Sequence, residues 1–268
     1  MSNYWTSRLA DKIYESGSEE TIKKLRKEYK KASKEIKAAI EDLYFKLLEE
    51  GQLTTTELYK YGRYDQCMKE INKIIKELGG REQDLIKLEL QNAYKEAFNQ
   101  TTAGLNGSVS WGIQNQLIME EVINANFKGA NFSDRIWTNK TKLTKLIEKE
   151  IMNNVASGQS KDIAIKAIIN KTGVAFSDAD RLVRTETMRV INYGQINSYK
   201  QNGYTQLQIL IGHDERTCED CLKKDKETID INSSDIPPFH PRCRCTAIPV
   251  LKTKINYGSE ERLDSIFE

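Results

Sequence analysis

No proline occurs before residue 237 of the 268-residue chain. Proline interrupts an α-helix more strongly than any other residue, because it lacks the backbone N–H and its ring clashes with the preceding turn. Most of this chain can therefore form long helices. All four prolines, both histidines and four of the five cysteines fall between residues 213 and 249. The sequence thus predicts a helical protein with one short, chemically distinct segment near its end.

Apolar residues in the N-terminal part recur at alternating steps of three and four, which is the spacing of an amphipathic helix with a charged exterior. Glycines at the ends of these stripes predict where each helix stops. The predicted helices cover residues 18–50, ending at Gly51, then a segment from 54–56 to Gly79-Gly80, then 82–100 and 113–126. The unpaired Cys67 lies in the second of these helices and is predicted to pack as a small apolar group.

The segment 126–137 is the principal predicted linker. After it, serines and glycines predict three separate helices, because serine favours helix starts and glycine favours helix ends. These are 140–156 closed by Gly158, 161–171 between Ser160 and Gly173, and 178–202 between Ser177 and Gly203. Apolar residues then alternate at 205–211 and again at 243–249, which is strand spacing and predicts two strands that can pair.

The cysteines and one histidine near the end of the chain have the spacing of a zinc site. Cys218-x2-Cys221 is followed, after eighteen residues, by His240-x2-Cys243-x-Cys245. Zinc takes four thiolate or imidazole ligands, and a two-residue gap lets both members of a pair face one ion. The preferred ligands are Cys218, Cys221, His240 and Cys243, with Cys245 as the alternative and His213 as a further candidate.

A structural role for this zinc is favoured over a catalytic one, because four protein ligands leave no position for water. The start of the chain lacks the apolar run of a signal peptide, so a reducing cytosol is expected, where clustered cysteines favour metal over disulfides. Free buried thiols, or disulfides formed in air, are the alternative. His213-Asp214-Glu215 also fits the H-x-E pattern of zinc deaminases, but the downstream cysteine spacing does not.

Charge gives a weaker signal. The net charge is only +2, and no stretch is apolar enough to cross a membrane. Residues 23–37 contain eight basic and two acidic side chains, which is either a solvated helix face or a face for nucleic acid or an acidic partner. The candidate contacts on this face are Lys23, Lys24, Lys27, Lys30 and Lys31.

A second polar group lies within the predicted helix 178–202. Arg184, Glu186 and Asn192 are interpreted as part of a buried or interfacial network rather than as catalytic residues. At 100° per residue, Arg184 and Glu186 are separated by about 200° and are not expected to pair directly.

Several segments of the C-terminal half resemble one known family, the MuF-type head morphogenesis or minor head proteins of tailed phages. The resemblance spans about residues 125–250, whereas the N-terminal helices are similar only in length and helical character. The matching segments are FSDRIW (132–137), GQS (158–160), RLVRTE (181–186), Asn192, Tyr199, Gly203, DERTCEDC (214–221) and PPFHPRCRC (237–245).

The resemblance implies a low-copy protein of the virion, located in the capsid interior at the portal vertex and assembled in the host cytoplasm. Its implied partners are the portal protein and capsid or scaffolding proteins, and its implied role is procapsid assembly or DNA delivery, without catalysis. We therefore expect a mainly α N-terminal region (1–125), which would dock through its apolar stripes. An α+β domain (126–250) with a small zinc-stapled β unit (loop 212–245) and a polar tail (251–268) would follow.

Two other functions remain open from the sequence. The first is a DNA-binding virion protein that contacts the packaged genome through the basic face at 23–37. The second, less favoured, is a zinc-dependent hydrolase or deaminase acting on nucleic acid, for which Glu215 would be the acid–base residue.

Overall fold

The computed structural model describes residues 3–49, 53–212 and 217–250. The chain is mainly helical, as predicted. Its elements are helices α1 (Asn3–Glu49), α2 (Thr55–Tyr59), α3 (Arg63–Gly104), α4 (Ile113–Asn124), α5 (Phe132–Ala156), α6 (Lys161–Gln201) and α7 (Glu219–Leu222), a 3-10 turn at Lys60–Gly62, and strands β1 (Gln206–Leu210), β2 (Thr228–Asp230) and β3 (Thr246–Pro249).

The long helices α1, α3, α5 and α6 pack side by side around two apolar clusters. The predicted stripes of α1 and α3 meet inside these clusters, where Leu25, Ile36 and Ile71 are fully buried. The expectation that these stripes dock onto another protein is therefore wrong, because their apolar surface is already covered within the chain. Cys67 is buried beside Ala39, as predicted.

The predicted helix stop at Gly79-Gly80 is wrong, since α3 continues through both glycines for 42 residues. Gly79 is needed for a close approach between helices. A Cβ at this position would lie 2.9 Å from the Trp137 ring on α5, whereas one at Gly80 would meet nothing within 4 Å. The packing of α3 against α5 at Gly79, where the Trp137 ring stays 38% exposed, outweighs the weak helix propensity of two glycines, which costs about 1 kcal/mol each.

The predicted break around Gly173 is also wrong, because α6 runs unbroken through Gly173 and Ser177 for 41 residues. Within the helix, the Ser177 hydroxyl donates to the carbonyl of Gly173 instead of capping a new helix. Helix α5 likewise begins earlier than expected. Asn131 caps it by accepting from the Asp134 N–H, so much of the predicted linker is helical.

The two predicted strands are present and pair antiparallel, with Leu207 opposite Pro249 and Leu210 opposite Thr246. A third strand, β2, pairs with the other edge of β1 and gives the order β2-β1-β3. Sequence reasoning missed β2 because three residues are too few to show alternation. The sheet covers a third, smaller cluster that includes Cys221, Cys243 and Cys245, and that α6 closes with Ile196 and Tyr199.

Both large clusters combine residues from before and after the predicted boundary at 125/126. The division into regions 1–125 and 126–250 therefore stays a prediction. In this structure the two regions share both large apolar clusters. Among the described residues, no helix combines the length and the apolar character that a membrane span requires.

Candidate metal centre

Two short turns bring the soft donors of the C-terminal segment together. Cys218 precedes α7, and its sulfur accepts from the Cys221 N–H at 3.4 Å. In the second turn, the Cys243 N–H donates to the His240 carbonyl at 3.1 Å. The first turn brings the donors of Cys218 and Cys221 together. His240 and Cys243 each lie close to the Cys221 sulfur, but no group of mutually close donors among the described residues contains both of them.

The donor atoms form two overlapping groups that share Cys221. Cys218, Cys221 and His240 make the first group, and Cys221, Cys243 and Cys245 make the second, with all atoms of a group within 4.8 Å of one another. The His240 Nε2 lies 3.3 Å from the Cys218 sulfur and 3.2 Å from the Cys221 sulfur. The sulfurs of Cys221 and Cys243 are 3.9 Å apart.

These separations fit a tetrahedral ion. With Zn–S bonds of about 2.3 Å and Zn–N bonds of about 2.0–2.1 Å, adjacent donors lie about 3.5–3.8 Å apart. The observed separations bracket this range, and the donors are thiol and imidazole, the types that zinc prefers in closed sites. The cluster can therefore hold a metal ion.

The imidazole of His240 is held in the orientation that metal binding requires. Its Nδ1 lies 2.8 Å from the Pro241 carbonyl, which can only accept, so this nitrogen carries the proton. The lone pair is then on Nε2, which points at the two sulfurs. Such a bond from the distal ring nitrogen to a carbonyl commonly fixes the tautomer of metal-binding histidines.

The environment separates the thiols into two kinds. Hydrogen bonding from Cys245 is the main cause that lowers the pKa of Cys243 to about 5. The pKa of Cys218 is also lowered, chiefly by the Cys221 N–H. Burial raises the pKa of Cys221 to about 12, and the hydrogen bond to Cys243 raises the pKa of Cys245. The environment therefore favours the thiolate at Cys218 and Cys243 and the thiol at Cys221 and Cys245.

Polar side chains of α6 fasten this helix to residues 205–250, the segment that carries the donors (the donor segment). The amide of Asn192 donates to the Cys245 carbonyl at 3.1 Å and accepts from the Ala247 N–H at 3.3 Å. One turn further, Gln195 accepts from the Thr246 hydroxyl at 3.0 Å. All these residues are buried, so the bonds fix β3 against α6 without competition from water.

Ion pairs and a further hydrogen bond also attach this segment to α6 and to α1. Arg242 donates to Asp180 on α6 at 2.6 Å, and its N–H donates to the Thr185 hydroxyl. Arg244 reaches Asp11 on α1 at 3.2 Å. Sequence reasoning missed these residues, because nothing local marks partners that are 57 to 233 positions apart.

A cleft of about 940 Å³ lies where α1, α6 and the donor segment meet. The donors line part of its wall, and the rest is charged. The lining includes Asp11, Glu15, Glu19, Asp180, Arg184, Arg242, Arg244, Cys218, Cys221, His240, Cys243 and Cys245. Small solutes can therefore reach the donor atoms although three of the four thiols are buried.

The structure places Arg184 and Glu186 in different networks, as their angular separation predicts. Arg184 donates to Glu19 on α1 at 2.6 Å and to Asp180 at 3.2 Å, beside the cleft. Glu186 forms a buried ion pair with Arg189 at 2.7 Å. Arg189 in turn donates to the Val122 carbonyl near the end of α4. These contacts join helices. Of the three predicted network residues, only Asn192 bonds to residues 205–212 or 217–250, the described parts of the donor segment.

The basic face at residues 23–37 lies on the exposed side of α1. Lys24 pairs with Glu20 at 2.6 Å and Lys31 with Glu35 at 3.9 Å. Lys23, Lys27 and Lys30 are exposed and form no ion pair with the described residues. His213 and Glu215, the deaminase candidates, lie outside the described residues, as does the tail 251–268.

Residues 145–248 match a family model described as Phage Mu protein F like protein. The matched range contains all of α6 and all five donor residues, from Cys218 to Cys245. The match confirms the predicted resemblance for this part of the chain, which is less than half of its length. No curated protein and no solved structure matches the chain significantly.

Proposed function

We propose that this chain, with its Mu protein F-like region at residues 145–248, is a structural minor protein of a tailed-phage head. The observation that carries the proposal is the extent of the family match, which takes in both α6 and the donor cluster that α6 fastens. A role in phage head morphogenesis follows from the family. Assistance in procapsid assembly or DNA delivery at the portal vertex is the finer part of the proposal.

Within this role, Cys218, Cys221, His240 and Cys243 would hold one structural zinc ion. A bound zinc supplies a link between the two turns, worth on the order of 10 kcal/mol to such small units. The chain's own residues do the rest. The Pro241 carbonyl orients the imidazole, and Asn192 holds the strand that follows the last cysteine.

The contact with the portal or capsid would use apolar side chains that the chain leaves exposed. At one end of the bundle, Phe45 is 62% exposed, Leu48 54% and Tyr61 78%. This tip surface, which also includes Tyr59, belongs to the end of α1, to α2 and to the following turn. The first turns of α6 pack in the same cluster as Leu47, and they lie about 40 Å along the helix from Asn192. Docking at the tip therefore leaves the metal centre accessible.

The head role is tested in a phage that encodes this chain. Deleting the gene for this chain should lower the yield of DNA-filled heads. In the wild-type phage, mass spectrometry should detect the chain in purified procapsids or virions. Unchanged head yield, together with absence of the chain from both particles, would contradict the proposal.

The tip surface is tested by co-purification with the portal protein of the same phage. Replacing Phe45, Leu48 and Tyr61 with serine should reduce recovery of the complex. The matched control replaces Ile113 and Leu117, which are 83% and 59% exposed on α4. Equal loss in both variants would argue against a specific contact at the tip.

The lysines on α1 support a second candidate function, binding of packaged DNA. Lys23, Lys27 and Lys30 follow one another at steps of four and three, so they form a stripe that can follow phosphates. Replacing the three with glutamine should weaken duplex DNA binding and flatten its salt dependence. The control replaces Lys69, Lys73 and Lys76, exposed lysines with the same spacing on α3. Equal effects would indicate dependence on net charge alone.

A further inference from the structure

A second pocket, of about 340 Å³, lies between the turn at residues 127–130 and the helices α5 and α6. Three of the segments that carry the family resemblance meet there. FSDRIW contributes Arg135, RLVRTE contributes Arg181 and Glu186, and PPFHPRCRC contributes Pro241. Arg135 and Arg181 are neither metal donors nor partners of the donors, so the proposed zinc site does not explain this convergence.

The charged side chains that line this pocket do not cancel one another. They are Lys128, Arg135, Arg181, Asp178 and Glu186. Each carboxylate is held by an arginine, since Arg181 donates to Asp178 at 2.7 Å and Arg189 donates to Glu186 at 2.7 Å. Because these two pairs are neutral, Lys128 and Arg135 leave the pocket with an excess of positive charge.

Lys128 and Arg135 have only backbone carbonyls as hydrogen-bond acceptors. The Lys128 ammonium donates to the Phe239 carbonyl at 2.6 Å, and Nη2 of Arg135 donates to the carbonyls of Phe127 and Lys128, the latter at 3.1 Å. In the described part of the chain neither side chain pairs with a carboxylate, and Nε of Arg135 is buried without an acceptor. A carbonyl dipole does not neutralise a full charge, so the pocket attracts an anion.

The excess charge is matched by a phosphomonoester. Such a group carries about −1.5 to −2 charges at pH 7, whereas a carboxylate or a phosphodiester carries a single one. The cations are also of the types that bind phosphate, because a guanidinium fits its oxygens in pairs and an ammonium acts as a point charge.

The rest of the pocket indicates what the phosphate is attached to. A water molecule takes about 30 Å³ of liquid, so a phosphate of five heavy atoms leaves much of the volume empty. The remaining lining is partly apolar and consists of Phe127, Ala130, Leu182 and Pro241. An aromatic ring and apolar side chains suit the flat face of a nucleic acid base.

We propose that this pocket binds a nucleoside monophosphate through its 5′-phosphate, either as a free nucleotide or as the 5′ end of a DNA strand. The phosphate lies at Lys128 and Arg135. Asp178 and Glu186 accept hydrogen bonds, which suits the hydroxyl and amino groups of a nucleoside and disfavours a second phosphate. The site depends neither on the proposed zinc nor on the basic face of α1.

The test is isothermal titration calorimetry of the full-length protein with deoxyadenosine 5′-monophosphate and with deoxyadenosine. The monophosphate should bind, and the nucleoside should bind at least roughly tenfold more weakly, because it lacks the charge-assisted hydrogen bonds. Lys128→Gln should weaken binding of the monophosphate roughly tenfold for the same reason. This variant is preferred to one at Arg135, which also holds the turn.

The matched control is Lys166→Gln, which removes the same charge from an exposed lysine of α6. Lys166 lies about 22 Å along the helix from Arg181, so this variant should bind the monophosphate as the wild type does. Equal affinity for nucleotide and nucleoside, absence of binding to both, or equal weakening in the two variants would overturn the proposal.

A second arm distinguishes the two sources of the phosphate. One single-stranded DNA oligonucleotide is compared with and without its 5′-phosphate, so that binding to the basic face of α1 contributes equally to both. Tighter binding of the phosphorylated strand identifies a DNA end as the ligand. If the two strands bind alike while the monophosphate binds at Lys128, the ligand is a free nucleotide. Neither result depends on the head role or on metal content.

Discussion

The helical bundle and the donor segment are stabilised in different ways. In the bundle, long helices bury continuous apolar stripes, and fully buried residues such as Ile40, Leu90 and Ile147 fill two large clusters. The described part of the segment from residue 205 to 250 has three short strands and one helical turn. Three buried residues of its small apolar cluster are cysteines, and α6 contributes Ile196 and Tyr199 to the same cluster. A unit of this size rarely buries enough apolar surface to fold alone.

This difference explains why the chemically unusual residues are concentrated in one place. Where apolar burial is sufficient, the chain needs no cross-link. Where it is not, the sequence supplies donors that can hold a metal ion, ion pairs to Asp180 and Asp11, and the buried contacts of Asn192. The two regions should therefore respond in opposite ways to metal removal and to changes in core packing.

Metal removal should have the largest effect and should be confined to the donor segment. We expect Cys221→Ser to lose a metal contribution of about 10 kcal/mol and to make residues 205–250 sensitive to protease. The bundle should keep its helical circular dichroism signal. Cys67→Ser is the control and should retain both metal and protease resistance. Unchanged resistance of residues 205–250 in Cys221→Ser would remove the distinction between the regions.

Breaking a buried ion pair should have the largest effect within the bundle. Lys140, 3% exposed, bonds to the fully buried Glu82, and the Tyr29 hydroxyl donates to Glu82 at 2.8 Å. Lys140→Met should lower the free energy of unfolding by about 3–5 kcal/mol, because Glu82 then stays buried without a counter-charge.

Denaturant unfolding measures this effect, and the double variant Lys140→Met/Glu82→Leu should recover much of the loss. Metal content should be the same in all three proteins. If Lys140→Met is as stable as the wild type, the ion pair does not stabilise the bundle. If Lys140→Met loses metal, the stabilities of the two regions are coupled.

The bundle should also respond to pH through Glu89. Burial is the main cause that raises the pKa of this carboxyl to about 7, and Glu20 and Glu96 add to it. The folded protein therefore holds a proton that the unfolded chain releases near pH 4.5, so the contribution to stability is full below that pH and is lost as pH rises to about 7. The loss should reach about 3 kcal/mol, at about 1.4 kcal/mol per pKa unit.

Glu89→Gln should remove most of this dependence, since the amide has no proton to lose. Urea unfolding at about pH 5 and about pH 8, on either side of the raised pKa, compares the two proteins. A wild-type stability that stays constant, or rises, over this interval would contradict the expected ionisation of Glu89.

Two adjacent glycines give the finest test of packing in the bundle. Gly79→Ala places a methyl group 2.9 Å from the Trp137 ring and should cost about 1–3 kcal/mol through overpacking. Gly80→Ala meets nothing within 4 Å and should stabilise α3 by up to about 1 kcal/mol. Thermal unfolding should therefore shift in opposite directions. A shift in the same direction for both would mean that helix propensity, not the contact with Trp137, governs this site.

Much of the local structure could be predicted, because its causes are local. The apolar periodicity indicated the helices, the alternation at 205–211 indicated β1, and the pair spacing of Cys218 and Cys221 indicated one face of a donor site. The helix stops at Gly79 and Gly173 were wrong because contacts with distant residues outweigh local propensity. Strand β2 was missed because three residues are too few to show alternation, and the start of α5 was missed although its cap, Asn131, is a local signal.

The sequence by itself determined which residues could be metal donors and that most of the chain is helical, since both depend on residue type and short-range spacing. Only the tertiary structure decided that the apolar stripes cover one another, that Cys245 lies beside the shared donor Cys221, and that Asn192 and Arg242 fasten the segment to α6. Such contacts join positions far apart in the chain. Their energy depends on burial and distance, which no local pattern of residues records.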